Sequence, residues 1–158
     1  MSTEPIASFF VEGKPHPQGS KTPVFRGGKI ILIEGKGSGP QLHKQWRAAV
    51  SDATDAYMLK NGMQEIPGIV RVELRFKIEK PKSKHRRLRA VSVRPDIDKL
   101  ARAVLDGITA LRDTTGIIPD DSHVVQLYAE KFYALPGEPS GVQIDIFDID
   151  HLRLSPEE

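Results

Sequence analysis

In the stretch RPDIDKLARAVLDGI, residues 94–108, three carboxylates gather around one apparent helix start: Asp96, Asp98 and Asp106. A second acidic pair, Asp120 and Asp121, follows a short loop. Carboxylate oxygens are the preferred donors for hard divalent cations, and Mg²⁺ commonly takes one or two of them together with waters and a substrate phosphate. Such an ion activates water, polarises a phosphoryl oxygen and stabilises the leaving oxygen. At about 100° per residue, Asp98, Arg102 and Asp106 share one polar strip of the helix, opposite Leu100, Val104 and Ile108. Arg102 is then placed to neutralise charge on a scissile phosphate. Asp96 stands just before the helix, and Pro95 sets its own φ and biases Arg94 to an extended shape. Asp96, Asp98 and Asp121 can supply one metal site if the strand after Asp121 starts beside this helix. The ordinary alternative is structural. Asp near a helix start is a common cap and suits the helix dipole, and Asp-Asp before a strand is a common turn. The spacing alone leaves both readings open.

A basic segment precedes the acids. Lys80, Lys82, Lys84, Arg86, Arg87 and Arg89 crowd one short stretch with His85, while acidic residues concentrate after position 95. A basic arm beside an acidic cluster suits a polyanion held by the first and a metal ion held by the second. Lys82, Lys84, Arg86, Arg87 and Arg89 are therefore candidate contacts to a DNA backbone, and Lys21 and Arg26 are candidates for further phosphate contacts. Other chemistries find no support. EGKGSGP, residues 34–40, is glycine-rich but does not spell a phosphate-binding loop, so no nucleotide cofactor is expected. The five histidines lack zinc-ligand spacing, and zero cysteines exclude disulfides and thiolate metal sites.

The elements that must position these residues can be read from periodicity. The chain has 158 residues, 39% apolar and 28% charged, with a net charge of +2, which fits one soluble domain. No apolar run reaches membrane-spanning length, and the opening MSTEPIASFFVEG lacks the pattern of a signal peptide. Residues 6–13 read as a first strand. KPHPQGSKTPVFRGGK has three prolines and three glycines and reads as largely loop, with a short strand at residues 30–34. Gln41 to Lys60 is helical, with Leu42, Trp46, Ala49, Ala53 and Tyr57 as its apolar face. Residues 69–80 alternate cleanly and predict a strand with Val70, Val72, Leu74, Phe76 and Ile78 buried. A second helix runs from Ile97 to Leu111 on Leu100, Val104, Gly107, Ile108 and Leu111. Strands follow at residues 124–133 and 142–147, expected to be antiparallel hairpin partners. The order β-α-β-α-β-β predicts an α+β fold: a single two-layer domain over residues 1–158, with a small mixed sheet of about four strands and two main helices on one face. The first strand, first helix and second strand are candidates for a right-handed parallel crossover.

RPDIDKLARAVLDGI, followed by PDDSHVVQLYAEKFY, resembles the RusA-type Holliday junction resolvases. FFVEGKPHPQGSK and FKIEKPKSKHRRLRA resemble that family's first strand with its Pro-rich loop and its second strand with its basic loop. The resemblance implies an endodeoxyribonuclease dependent on Mg²⁺, with Mn²⁺ as a substitute. It further implies a homodimer that nicks two strands of a four-way DNA junction symmetrically, in recombination and repair in the bacterial cytoplasm, with no membrane partner. It places Asp96, Asp98 and Asp121 as metal-binding acids, and Asp106 and Asp120 as auxiliary ligands or structural groups. Two departures stand out. The Asn that usually follows D-x-D is Lys99 here, and the family's Lys one helical turn further on is Arg102. Arg clamps a phosphate but does not give up its proton, so Lys99 is the candidate for any proton-donating part. An accessory DNA-binding protein of the same fold with weak cleavage is the alternative.

Overall fold

The computed structural model describes residues 4–19, 22–33, 39–82, 89–109 and 116–154. Among the described residues, six strands and two helices follow in the order β1 (Ala7–Glu12), β2 (Thr22–Arg26), β3 (Lys29–Ile33), α1 (Gly39–Asn61), β4 (Val70–Ile78), α2 (Ile97–Ile108), β5 (Val124–Tyr133) and β6 (Gly141–Asp148). The fold is α+β, a mixed four-stranded sheet in the order β1-β6-β4-β5 plus a separate β2-β3 hairpin. No helix among the described residues is long and apolar enough to cross a membrane.

Alternation in β4 produces the core. Val70, Val72, Leu74 and Phe76 are all fully buried, because period-two spacing sends each to the same face of the pleat. Their neighbours across the sheet match them: Ile146 beside Val72, Ile144 beside Leu74 and Val142 beside Phe76. Ala7, Phe9 and Val11 extend this face onto β1. Both helices pack there, with Leu100, Ala103, Val104 and Ile108 of α2 and Trp46 and Val50 of α1 completing one core. The opposite face carries charge. On it Arg75 reaches Asp145 at 3.0 Å, Glu130 at 3.6 Å and Glu73 at 3.8 Å.

Several expectations need correction. β5 and β6 do run in opposite directions, but they are not hairpin partners. β4 lies between them, parallel to β5 and antiparallel to β6. The parallel pair needs a crossover, which α2 supplies, and β4 holds the place beside β5 that a hairpin would give to β6. Likewise β1 and β4 point the same way, but β6 separates them. The segment read as loop contains β2. Gly27 and Gly28 take φ of +57° and +76°, which suits a two-residue hairpin turn between Arg26 and Lys29. Pro23 is tolerated because a two-stranded ribbon has free edges.

The buried stripe of α1 is His43, Trp46, Val50, Thr54 and Met58, displaced by one residue from the expected face. Leu42 is exposed, and Ala49, Ala53 and Tyr57 flank the stripe. The helix is turned because it must meet α2 as well as the sheet. α2 itself ends at Ile108, where Thr109 turns extended and bridges Ile118; Leu111 lies outside the described residues.

The two helices meet at Gly107. A Cβ there would lie 2.7 Å from Val50 Cγ1 and 2.8 Å from Val50 Cβ. Gly107→Ala should therefore destabilise the protein by about 1–2 kcal/mol, overpacking outweighing the gain in helix propensity. The urea midpoint would show it, and adding Val50→Ala should recover part of the loss.

Candidate active site

The chain reaches α2 along the outer edge of β5. Tyr133 donates its N–H to Arg89 O at 2.8 Å, Val91 donates to Lys131 O at 3.2 Å, and Ala90 bridges Phe132. This pairing covers the end of an otherwise open edge. The next turn is held from beneath. The Lys131 ammonium, on the helix-covered face of β5 opposite Phe76, donates to Val93 O and to Pro95 O, each at 2.7 Å. Hydrogen bonds from a charged donor are among the stronger ones. The backbone immediately before Asp96 is thereby anchored to the sheet.

Asp96 then takes the cap position of α2 with extended backbone, φ −70° and ψ 137°, but its side chain makes no capping bond. Its carboxylate instead faces solvent and pairs with Lys99 at 3.4 Å. Asp98 follows in the first helical turn, also exposed. Neither side chain caps the helix, and both sit where the helix dipole favours negative charge. Arg102 is exposed one turn beyond Asp98, and Asp106 is half-buried two turns beyond. The Pro-rich loop closes one flank: Gln18 donates its backbone N–H to Lys99 O at 3.1 Å, and Gln18 Oε1 lies 3.1 Å from His43 Nε2 on α1.

The second acidic pair behaves differently. Asp120 accepts a hydrogen bond from Ser122 N at 2.8 Å and caps the short 3₁₀ turn Asp121–His123. Donation from Ser122, by its side chain first and then its backbone N–H, holds the Asp120 carboxyl below the usual carboxylate range. Asp120 is thus occupied as a turn cap. Asp121 is exposed at the start of that turn, and His123 Nδ1 anchors it, 3.1 Å from Gly68 O.

The two acidic groups lie at opposite ends of α2. Pro95 is tied to Lys131 late in β5, whereas Ile117 donates its N–H to Ile108 O and Val124 pairs with Val70 where β4 and β5 begin. A 12-residue helix spans about 18 Å, and the seven steps from Val124 to Lys131 span about 23 Å. Among the described residues no group of three or more acids and histidines is close enough to hold one metal ion. Within one chain, Asp96 and Asp98 are neighbours, and Asp120 and Asp121 are neighbours, but the pairs stay apart. Two exposed carboxylates still fit Mg²⁺, which keeps several waters and takes its remaining ligand from a phosphate.

Of the basic candidates, Lys82 and Arg89 are exposed at the two ends of the basic segment. Lys84, Arg86, Arg87 and Lys21 lie outside the described residues. Lys131 is a further group at this site, not among the candidates drawn from the sequence, where a lone lysine on a strand has no distinguishing mark. Its parity on β5 was a signal: counting back from Tyr133 puts it on the covered face. Lys131→Met removes both bonds while keeping the length of the stem. It should speed amide hydrogen exchange around Asp96 to Leu100 by about tenfold, a local loss on the order of 1–2 kcal/mol. Exchange unchanged in that turn would show that the ammonium does not hold it.

No curated protein matches the chain. The family described as Endodeoxyribonuclease RusA matches residues 13–146, from the end of β1 into β6. That span takes in both acidic pairs, the basic loop and the strand that carries Lys131, so the chain belongs to the RusA endodeoxyribonuclease family.

Proposed function

We propose that the protein is a Mg²⁺-dependent endonuclease that acts as a homodimer on four-way DNA junctions and nicks two strands symmetrically. The observation that carries this reading is the start of α2. Asp96 occupies a cap position with a carboxylate that caps nothing, and Asp98 stands beside it, in a chain of an endodeoxyribonuclease family. A bound Mg²⁺, or Mn²⁺ in its place, would supply water activation and charge neutralisation at the phosphate. Asp96 and Asp98 would hold it, and the Lys131 ammonium keeps the backbone beneath them in place.

Arg102, one turn on from Asp98, stabilises charge on the phosphate, and Lys99 is the nearer group able to pass a proton. Lys82, Lys84, Arg86, Arg87 and Arg89 hold the DNA backbone leading to the site. Asp121, a helix length away in its own chain, enters this site only as the partner's Asp121 in the homodimer. Asp120 keeps its structural duty, and Asp106 serves the polar strip of α2 rather than the same ion.

The test uses purified protein, Mg²⁺ and a labelled four-way junction beside linear duplex and fork. Paired nicks in the junction are expected. Asp98→Asn should abolish them while junction binding is retained, and Arg102→Ala should slow cleavage by about 10²–10³-fold with far less effect on binding. Junction binding without any cutting would favour an accessory protein of the same fold. No preference for junction over duplex would overturn the resolvase reading. Mixed dimers of Asp98→Asn and Asp121→Asn chains should recover one intact site and nick one strand, and mixed dimers without any activity would refute the shared site.

The basic loop has its own readout. Changing Lys84, Arg86 and Arg87 together to Ala should reduce the slope of log affinity against log salt by about 2–3, one counterion for each phosphate no longer neutralised. An unchanged slope would make the loop a solvated surface.

A further inference from the structure

The β2-β3 hairpin is not explained by the fold. It forms its own two-stranded sheet, and among the described residues no backbone hydrogen bond ties it to the four-stranded sheet or to either helix. Yet it is rich in apolar side chains. Phe25 is 75% exposed, Ile30 73% and Leu32 60%. The register pairs Phe25 with Ile30 and Pro23 with Leu32, so these four share one face of the ribbon. Ile31, 45% exposed, lies on the other. Leaving such side chains in water gains no burial energy, and exposed apolar patches of this kind mark contact sites.

Three observations select the occupant. First, residues 22–33, TPVFRGGKIILI, contain no carboxylate, while Arg26 and Lys29 pair directly behind the Gly27-Gly28 tip. The charge is complementary to a polyanion. Second, the arm leaves the body beside the acids. Gln18 is bonded to Lys99 O in the first turn of α2, and Thr22 is four residues further on, within about 14 Å. Third, the dimensions of a two-stranded ribbon suit a DNA groove, and aromatic and aliphatic side chains bind bases wherever base stacking is interrupted.

We infer that the hairpin is a DNA-engaging arm. Phe25 and Ile30 lie against unstacked bases at the branch point, and Arg26 and Lys29 take the flanking phosphates. The arm would let the enzyme sense the open centre of a branched substrate, which linear duplex lacks. This inference rests on the reading of the protein as an enzyme of branched DNA, and it names the element that recognises the branch.

The experiment measures binding to a four-way junction carrying 2-aminopurine at its centre, with linear duplex of the same sequence as reference and with the acids intact in Ca²⁺ to prevent cutting. The wild-type protein should raise the 2-aminopurine fluorescence. Phe25→Ala should weaken junction binding by about tenfold or more and suppress the fluorescence rise, while duplex binding and melting temperature stay unchanged. Phe25→Trp, which keeps a stacking ring, should restore both. Arg26→Ala with Lys29→Ala should lower affinity for both DNAs alike. Wild-type junction affinity and fluorescence in Phe25→Ala would overturn the arm while leaving the nuclease reading intact. Loss of the dimer in Phe25→Ala, measured by sedimentation, would overturn it in favour of a self-association surface. Failure of the wild-type protein to prefer the junction would overturn both readings.

Discussion

Burial of one face of β4 is the constraint on which the rest of this structure depends. Val70, Val72, Leu74 and Phe76 reach zero exposure only because β6 pairs on one side, β5 on the other, and the helices close over the top. β5 runs parallel to β4, and two adjacent parallel strands cannot be joined by a tight turn. The chain must cross over the sheet, and α2 is that crossover. Its direction is then set: it begins near the far end of β5 and finishes where β4 and β5 start. The position of every acid follows from this. Asp96 and Asp98 belong to one end of the crossover and Asp120 and Asp121 to the other, however close the pairs stand in sequence.

The start of α2 is secured without using its own carboxylates. A helix beginning is commonly held by a side-chain cap, which would occupy the carboxylate of Asp96. Here the Lys131 ammonium holds it from the sheet, through Val93 O and Pro95 O, and Gln18 holds it from the flank. The carboxylate is left to face solvent. The second acidic pair shows the contrast: Asp120 caps its turn and is held ionised by Ser122. Similar residues in similar local sequences thus have different duties, decided by which neighbour is at hand.

Much of the fold was legible in the sequence. The two helices and the strands β1, β4, β5 and β6 lie close to where their residue patterns put them, most cleanly β4, whose one-sided apolar alternation only a strand can bury. The β2 strand was missed because Pro23 and the paired glycines read as breakers, although Gly27-Gly28 was itself a hairpin signal. The face of α1 was placed one residue off: Ala49, Ala53 and Tyr57 made a regular series, but His43 and Thr54 are the buried groups. Thr54 donates to Val50 O one turn back, and His43 Nε2 lies 3.1 Å from Gln18 Oε1; a hydropathy pattern sees neither.

The sequence by itself determined the kinds of element, the identity of the acids, the basic loop and the family, since these depend on local spacing and residue chemistry. Only the tertiary structure decided which acids are neighbours. Strand adjacency depends on pairings between distant segments, and β4 intervening between β5 and β6 has no local signature. Lys131 likewise acquires its role through a loop 36 residues away in sequence. The start of α2 could be read from the chain, but that it stands between the two acidic pairs follows from the parallel pairing of β4 with β5, which only the packed sheet imposes.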